Sequence, residues 1–351
     1  MRVLFFGVYD PNYARNWVLI NGLRKNGVEV VELRRKPQRF SLFRLFFDYL
    51  KFKKNFDIMI VGFPGQEAMF LARWLTLKPI IFDVFTSHYG GYILDRQKFS
   101  KNSFRAKYYR FLDRWSCKLA DIVLLDTNAH INFFMKEFNL PRDKFRRIWI
   151  GANDQIFQPG GTFQKMDNLF RVIFFGTYVP LQGAEYIVRA AKILEADKDI
   201  VFCFIGKGQN KPKSINLANE LKLKNIEFID MMRPEDLRLK ICESDVVLGL
   251  FGDTPKTPLV IPNKVYEALA MKKPVITADT EAIRELFDAN DMFLVKPANP
   301  EELAGAIIKL KNNPELRNKL AENGYNKFKE NASHKVLGEK LLKIVNEIKK
   351  N

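Results

Sequence analysis

The sequence predicts an α/β protein built from two doubly wound parallel-sheet domains. The chain has 351 residues, and 47% of them are hydrophobic, which is enough to bury two cores of ordinary size. Short β-branched or aromatic runs alternate with amphipathic stretches from the first residue onward, as expected of βαβ units. The alternation breaks once, at 151–169, where glycine and proline are frequent and periodicity is weak.

Six strands are predicted on each side of this break. Those of the first half are Val3–Phe6, Val28–Leu33, Ile58–Val61, Pro79–Phe82, Ile122–Leu125 and Arg147–Ile150. Those of the second half are Arg171–Phe175, Ile200–Ile205, Ile226–Ile229, Asp245–Leu250, Pro274–Thr277 and Met292–Val295. We therefore expect one domain at 1–160, a second at 161–330, and a C-terminal helix at 331–351 that packs back on the first domain.

Two classes of protein are disfavoured by what the chain lacks. Neither half opens with a G-x-G-x-x-G fingerprint, since the first predicted strand is followed by Gly7-Val8-Tyr9-Asp10, so a dinucleotide oxidoreductase is not expected. The longest apolar stretches, such as Ile58–Phe63, are far shorter than the roughly 20 residues of a spanning helix. No signal-peptide pattern precedes the first strand. We expect a cytoplasmic protein, soluble or peripheral on a membrane.

The positive charge is concentrated in the first half. Residues 1–160 contain 27 Lys or Arg against 14 Asp or Glu, whereas residues 161–351 contain 30 against 26. A partner that attracts cations therefore meets the first half, and electrostatics alone allows either nucleic acid or an anionic bilayer. Nucleic acid is the weaker candidate, because the recognition motifs of nucleic-acid-binding folds are missing.

The segment 34–54 combines many of these cations with aromatic residues. It carries eight Lys or Arg and a single acid, Asp48, and a helical wheel gathers Leu42, Phe46, Tyr49 and Leu50 on one side. Such a helix suits the headgroup boundary of an anionic membrane, although a helix flanking a sheet also needs an apolar face. The residues that we expect at the membrane are Arg44, Phe47, Lys51 and Lys54.

A second segment, 103–119, has a similar composition. Its apolar residues are predicted to form a core stripe, with Lys107, Arg110, Arg114 and Lys118 outside; the stripe comprises Phe104, Tyr108, Phe111, Leu112, Trp115 and Leu119. Together the two segments account for the uneven charge. An anionic membrane surface, carrying a lipid-linked acceptor, is the partner that they indicate.

The most specific segment is 250–277. A predicted strand ends in a Gly/Pro loop, Pro262-Asn263 opens a helix, and Glu267 lies one turn inside it. This layout places a helix N-terminus, with free N–H groups, at the carboxyl edge of a parallel sheet, where ligands of such folds bind. Lys264 adds a positive charge there, and Glu267 could accept hydrogen bonds from ribose hydroxyls. A capped surface helix with an incidental Lys and Glu is the alternative.

This segment resembles the donor-site region of family 4 (group 1) retaining glycosyltransferases, which have the GT-B architecture. The other landmarks follow in order: 174–191 is similar to the glycine loop that opens the donor domain, 204–209 to its second phosphate-side loop, and 78–96, 114–127 and 145–159 to acceptor-domain and linker segments. The resemblance implies that 1–160 binds the acceptor and that 161–330 binds a nucleotide-sugar, linked to UDP or GDP, as substrate. It implies no separate cofactor and a metal-independent transfer of a hexosyl or N-acetylhexosaminyl group with retention.

The resemblance also implies roles for individual residues. The catalytic candidates are His88, Lys264 and Glu267. The donor-binding candidates are Gly176, Thr177, Gln182, Gly206, Lys207, Asp230, Met231 and Asn263. Residues expected to face a cleft between the domains are Tyr9, Asp10, Arg15 and Asp126, although Asp10 could instead cap a helix and 126–128 could do the same.

Two departures from the family pattern stand out. Leu259 lies eight positions before Glu267, where many members have an acidic residue that contacts the transferred sugar. Thr177 and Gln182 occupy places where Arg and Lys often bind the diphosphate, so we expect Lys264, or else Lys207, to supply that charge. These departures also favour a rival interpretation, a non-catalytic GT-B scaffold that binds lipid or carbohydrate.

Metal chemistry has little support in the sequence. No spaced His/Cys set occurs, and the one D-x-D, from Asp197 to Asp199, falls at a helix-to-strand turn. We expect no metal site.

Overall fold

The computed structural model describes residues 1–52, 55–160 and 167–350, and its contacts divide the chain into two compact units. The first unit comprises Met1–Ala152 and Ala332–Asn351, and the second comprises Asn153–Asn331. These breaks lie close to the predicted boundaries at 160 and 330. Each unit contains a six-stranded sheet in which every pairing is parallel.

The sheet of the first unit has the strand order β2-β1-β3-β4-β5-β6. Its strands are β1 (Arg2–Val8), β2 (Glu29–Arg35), β3 (Ile58–Val61), β4 (Ile80–Asp83), β5 (Ile122–Leu125) and β6 (Phe145–Arg147). The helices between them are α1 (Ala14–Lys25), α2 (Ser41–Lys51), α3 (Gln66–Leu75), α4 (Phe104–Leu119) and α5 (Asn128–Phe138). Strands β3, β4 and β5 are buried at every residue, because helices cover both faces of a parallel sheet.

The second unit repeats this plan with the strand order β12-β11-β10-β7-β8-β9. Its strands are β7 (Phe170–Thr177), β8 (Ile200–Lys207), β9 (Ile226–Ile229), β10 (Val246–Leu248), β11 (Val275–Ala278) and β12 (Phe293–Val295). Its helices are α6 (Ala184–Ile193), α7 (Lys211–Glu220), α8 (Pro234–Glu243), α9 (Asn263–Ala270), α10 (Glu281–Arg284), α11 (Pro300–Asn312) and α12 (Pro314–Asn331). The strand order reverses between β7 and β10, which makes their carboxyl ends the topological switch point of this sheet.

All twelve predicted strands overlap observed ones, and the largest shift concerns β6. The strand was predicted at Arg147–Ile150 but is observed at Phe145–Arg147. The carbonyls of Ile148 and Trp149 accept hydrogen bonds from Nη1 of Arg15, at 2.6 and 2.8 Å. The apolar run is thus buried by a contact with α1 and lies beyond the end of the strand.

The last helix, α13 (His334–Lys350), belongs to the first unit, where it packs against α1. The two helices approach closely at Gly22 and Gly338. A Cβ added at Gly338 would lie 2.1 Å from the carbonyl oxygen of Gly22, and one added at Gly22 would lie 2.5 Å from that of His334. Backbone therefore packs on backbone at this crossing, and no larger side chain fits without a shift.

The predicted core stripe of α4 is wrong at four of its six residues, while Leu112 is buried as predicted and Leu119 packs against the core. Phe104 is 83% exposed, and Tyr108, Phe111 and Trp115 are exposed as well. The helix instead buries a face of small and polar residues around one leucine, namely Ala106, Leu112, Asp113, Ser116 and Cys117. A buried carboxylate on that face, Asp113, accepts several hydrogen bonds, so polar contacts decide which side of α4 faces inward.

Helix α2 differs from its predicted wheel in a related way. It buries Leu45 and Tyr49, whereas Leu50, which the wheel groups with Tyr49 on the apolar side, is exposed together with Phe43 and Phe47. The predicted membrane residue Lys54 lies outside the described residues, and Arg44 and Lys51 are exposed.

We predict that Gly338→Ala lowers the free energy of unfolding of the first unit by about 2 kcal/mol, since the added methyl overpacks a backbone contact. Denaturant unfolding followed by tryptophan fluorescence measures this unit, because Trp17, Trp74, Trp115 and Trp149 all belong to it.

Gly305→Ala is the matched control for this substitution. Gly305 lies inside α11 of the second unit, with open space where its Cβ would be. Denaturant unfolding followed by circular dichroism, which reports on both units, should show no loss of stability and a gain of up to about 1 kcal/mol from helix propensity. Equal effects of the two substitutions would contradict the close packing of α1 and α13.

Candidate functional site

The carboxyl edge of the second unit's sheet is open at its switch point because two strand ends carry no side chain. Gly176 near the end of β7 and Gly206 near the end of β8 are neighbours in register, with φ of 125° and 141°. A Cβ at Gly206 would lie 1.9 Å from the carbonyl oxygen of Gly176. Only glycine is compatible with this approach, so both strands lack a side chain near their ends at the sheet edge.

Lys264 lies directly beside this open edge. Its side chain is 4% exposed, and its Nζ is 3.6 Å from the ring centroid of Phe174 on β7. A Cβ at Gly176 would lie 3.5 Å from Cε of Lys264. The Nζ atom has no hydrogen-bond partner in the structure. A buried ammonium held only by an aromatic face is suited to an anionic ligand, which would supply the missing acceptors.

Glu267 lies one helical turn after Lys264 on α9. Burial raises the pKa of its carboxyl to about 7, with Lys264 acting in the opposite direction. Burial likewise lowers the pKa of Lys264 well below its usual value, and the carboxylate of Glu267 opposes that shift. The two groups therefore form a coupled pair whose protonation responds to charge placed beside it.

The N-terminus of α9 adds partial positive charge at the same place. Its cap residue, Pro262, makes no side-chain capping bond, and the first turn contains no acidic residue. The first N–H groups of this helix are therefore free of the side-chain acceptors that usually satisfy them, and they favour a bound anion.

The remaining predicted donor residues are distributed along the same edge with different exposure. Thr177 and Lys207 are exposed register neighbours at the ends of β7 and β8. Gln182 is partly buried at the end of a 3-10 turn, and its Oε1 has no hydrogen-bond partner. Met231 is exposed and Asn263 is partly buried. The structure gives no contact between Lys207 and Lys264.

Asp230 is tied to a residue that the sequence did not single out. Lys211 donates to the carboxylate of Asp230 at 2.6 Å and to the carbonyls of Gly206 and Ile229 at 3.0 and 2.9 Å. This lysine therefore fixes the ends of β8 and β9 relative to each other. Lys211 lies at the first turn of α7, and the sequence alone does not distinguish it from the other lysines of the chain.

The second unit is similar in sequence to known proteins. Residues 162–327 match the family model described as "Glycosyl transferases group 1". The matched residues lie within the second unit, which is therefore similar to group 1 glycosyltransferase domains. An uncharacterized glycosyltransferase of Methanocaldococcus jannaschii is 24% identical over 84% of this chain and 74% of its own length. Alpha-D-kanosaminyltransferase of Streptomyces kanamyceticus is 24% identical over 61% of this chain and 57% of its own length. These matches support glycosyl transfer as the activity.

Solved structures establish the fold over the whole chain. HepE of Anabaena in complex with UDP-glucose has a TM-score of 0.74 at 15% identity, covering 99% of this chain and 100% of its own. Sucrose-phosphate synthase of Thermosynechococcus elongatus has a TM-score of 0.75 at 14% identity, covering 99% of this chain and 98% of its own. The two Rossmann-like units together constitute the GT-B fold.

The predicted catalytic residue His88 lies in a loop of the first unit after β4. Its ring stacks on Tyr92 and Tyr109, with centroids 5.8 Å apart in both cases, and its Nε2 is buried without a hydrogen-bond partner. The loop is held by Asp113 of α4, which sequence reasoning missed. Its carboxylate accepts from Ser87 Oγ, from the amides of His88 and Tyr89, and from Gln66 Nε2, at 2.7 to 3.3 Å.

Two of the residues predicted to contact the acceptor are enclosed within the first unit. Arg15 is fully buried, and its guanidinium is bound to the carboxylate of Asp83 at 2.7 Å and to the two carbonyls after β6. Asp126 is fully buried as well, with Oδ1 2.8 Å from Nδ1 of His130 and Oδ2 without a partner. Arg15 therefore joins β4 to the segment after β6, in place of contact with an acceptor.

The other two residues lie at the end of β1. Tyr9 is buried and donates its hydroxyl to Glu32 at 3.2 Å, and burial and this carboxylate raise its pKa. Asp10 is exposed and accepts from the amide of Asn12 at 2.9 Å. It does not cap α1, because that helix begins after Tyr13 without a side-chain cap. The hydroxyl of Thr127, by contrast, caps α5 by accepting from the amide of His130.

The D-x-D pair of the second unit is bound by one lysine. Lys311 donates to Asp197 at 2.6 Å and lies 3.4 Å from Asp199. Within residues 1–52, 55–160 and 167–350, no cluster of three or more His, Cys, Asp or Glu side chains could hold a metal ion.

We predict that Asp113→Asn lowers the free energy of unfolding of the first unit by about 2 kcal/mol. An amide has one oxygen in place of two, so at least one of the buried donors to Asp113 loses its acceptor. Tryptophan fluorescence during denaturant unfolding measures the loss. Asp143→Asn, an exposed position next to β6, is the control and should change stability by less than about 0.5 kcal/mol.

A pH-dependent prediction follows from the raised pKa of Glu267. The folded protein keeps this proton up to about pH 7, whereas the unfolded chain releases it near pH 4.5, so the contribution of Glu267 to stability falls as pH rises between those values. Relative to Glu267→Gln, the wild type should lose about 3 kcal/mol between pH 4.5 and 8. Hydrogen exchange of α9 measures the difference; a constant difference across this range would show that Glu267 has its ordinary pKa.

Proposed function

We propose that this chain transfers a hexosyl or N-acetylhexosaminyl group from a UDP- or GDP-linked donor, with retention of configuration, to a lipid-linked or membrane-surface glycan. The observation that carries the proposal is the buried Nζ of Lys264, which lies beside the open glycine edge and has no oxygen partner. The group 1 match of the domain that contains it supports a sugar nucleotide as the ligand.

The donor diphosphate is assigned to the space between Gly176, Gly206 and the N-terminus of α9. Backbone N–H groups and the positive helix end would bind its oxygens, and Lys264 would supply the full charge. Glu267, one turn further on, is placed to accept hydrogen bonds from the ribose. The HepE structure from Anabaena contains UDP-glucose, which supports the same class of donor here.

The chemistry that these residues supply is stabilisation of a departing diphosphate. The bond from the anomeric carbon to the diphosphate oxygen breaks, the acceptor oxygen forms the new glycosidic bond, and the leaving diphosphate takes the acceptor proton. A cation about 4 Å from the developing charge is worth on the order of 4 kcal/mol at an effective dielectric near 20. Lys264 replaces the basic residues that Thr177 and Gln182 do not provide, so no metal ion is required in this scheme.

The first unit is assigned to the acceptor, with His88 as its candidate catalytic group. The backbone amide of His88 donates to Asp113, its ring stacks on two tyrosines, and its Nε2 lacks a partner within the protein. The acceptor is proposed to be carried by a lipid at the cytoplasmic face of the plasma membrane, because the first half of the chain contains most of the excess positive charge.

The competing function is a non-catalytic scaffold that binds lipid or carbohydrate. It is favoured by Leu259, which is a partly buried residue at the end of a 3-10 turn where an acidic residue would contact the sugar. Nucleotide binding without any sugar transfer to lipid or glycan acceptors would support the scaffold.

We predict that Lys264→Met weakens UDP or GDP binding and lowers turnover at least tenfold, because the diphosphate loses its only buried cation while the side-chain volume is nearly retained. Isothermal calorimetry with UDP, GDP and their sugar conjugates measures the affinity, and release of the nucleotide measures turnover.

Lys296→Met, which removes an exposed lysine of the same domain, should leave affinity and turnover unchanged. Wild-type affinity and turnover in Lys264→Met would refute the assignment of the diphosphate to this edge. Thermal unfolding of each variant shows whether the domain remains folded.

A further inference from the structure

Three helices of the first unit carry two groups of contacting aromatic rings, which meet on α3. On α2, Phe47 contacts Phe43 and Phe46 with centroids 4.8 and 5.1 Å apart, and Phe46 lies 5.6 Å from Trp74 of α3. One turn before Trp74, Phe70 stacks on Phe111 of α4 at 6.3 Å, and Phe111 is 6.0 Å from Trp115. We call this set of seven residues the aromatic ridge.

Five of the seven ridge residues are exposed, and Phe46 and Phe70 are half-buried. Trp74 is 74% exposed and Phe43 is 62% exposed, and Phe47, Phe111 and Trp115 are exposed as well. Other exposed apolar side chains occur in or next to the same three helices, namely Phe40, Leu50, Leu77, Phe104 and Tyr108. Large contiguous apolar patches are uncommon on the surfaces of soluble proteins. Such a patch indicates a contact with another protein or with a membrane.

Cations surround the ridge, and most nearby acids are already occupied. Helix α4 has five Lys or Arg, and its only acid, Asp113, is buried beneath the helix. On α2, Arg44 and Lys51 are exposed, whereas Asp48 is bound to Arg35 at 2.6 Å. Glu67 at the start of α3 is an exposed acid. Lys118 lies over the ring of Trp115, 4.9 Å from its centroid.

This combination of side chains matches the boundary of an anionic bilayer. Indole and phenyl rings partition into the layer between headgroups and acyl chains, and Lys or Arg beside them reach the lipid phosphates with their stems along the apolar surface. A protein partner would be expected to meet fewer cations around the apolar centre, since charged residues other than Arg are depleted in such interfaces. Within the described ranges, no helix is long and apolar enough to cross a membrane.

We propose that the aromatic ridge and its cations form a docking surface that lies flat on a membrane containing anionic lipid. The rings of α2, α3 and α4 enter the acyl boundary together, and the lysines and arginines of α2 and α4 contact the headgroups. This inference rests on the proposed function only in one respect, which is that docking would bring the first unit to the membrane that carries a lipid-linked acceptor. Docking itself does not depend on sugar transfer.

Flotation with lipid vesicles tests the contribution of the rings. The full chain should float with vesicles of phosphatidylcholine mixed with phosphatidylglycerol, and much less with phosphatidylcholine alone. Phe47→Ser with Trp74→Ser should lower the partition coefficient for the mixed vesicles at least tenfold. Ile193→Ser with Leu239→Ser removes two exposed apolar side chains of the second unit and should leave it unchanged.

A second pair of variants tests the contribution of the cations. Lys107 and Lys118 are both exposed on α4. Lys107→Glu with Lys118→Glu should lower binding to the mixed vesicles at least tenfold. The remaining binding should fall less steeply with salt concentration than that of the wild type. Lys224→Glu with Lys319→Glu makes the same change of charge on the second unit and should have a much smaller effect.

Several results would overturn the docking surface. These are failure of the wild type to float with mixed vesicles, equal flotation of the ridge variant and the wild type, and a concentration-dependent dimer that the ridge variant abolishes. Binding of a generic oligoribonucleotide that depends on Lys107 and Lys118, without binding to vesicles, would also overturn it.

Nucleotide binding in the same samples separates this proposal from the proposed function. The ridge variant should bind UDP or GDP as the wild type does, because the substitutions lie on the first unit, outside the residues that match the group 1 family model. Vesicle binding without nucleotide binding would refute the donor assignment and support the docking surface. Nucleotide binding without vesicle binding would refute the docking surface and support the donor assignment.

Discussion

The constraint on which the rest of the structure depends is the parallel arrangement of both sheets. All strands of a parallel sheet point the same way, so a crossover connection joins each strand to the next. The loops that follow the strands therefore gather at one edge of the sheet. In the second unit, the reversal of strand order between β7 and β10 opens that edge. Residues that are up to 90 positions apart in sequence, Phe174, Gly176 and Lys264, come into contact there as a result.

At that edge, the residues around Lys264 provide no hydrogen-bond acceptor for its Nζ. The glycines at the strand ends contribute no side chain, Phe174 offers only an aromatic face, and Glu267 is the one carboxylate that acts on its charge. A buried cation in such surroundings is unfavourable for the empty protein and favourable for an anion-bound one. The cost in stability and the capacity to bind a diphosphate thus have the same origin.

In the first unit, buried polar groups rather than apolar stripes decide which side of a helix faces the core. Asp113 accepts hydrogen bonds from the loop that carries His88, and Arg15 is held by Asp83 and two carbonyls. Because these groups must stay inside with their partners, the large aromatic residues of α4 remain outside. The same network that holds the loop of His88 therefore also creates the exposed aromatic ridge.

The sequence by itself determined the fold class, the strands and the position of the segment that holds Lys264 and Glu267, because hydrophobic period, Gly/Pro breaks and helix-start signals are local properties. It placed β6 too late and assigned the aromatic residues of α4 to the core, since neither the contact of Arg15 with two distant carbonyls nor the burial of Asp113 leaves a local trace. Only the tertiary structure showed that Lys264 lacks an oxygen partner and that Lys211 joins β8 to β9. Such facts depend on which groups meet across long separations in the chain, and composition and periodicity carry no information about those meetings.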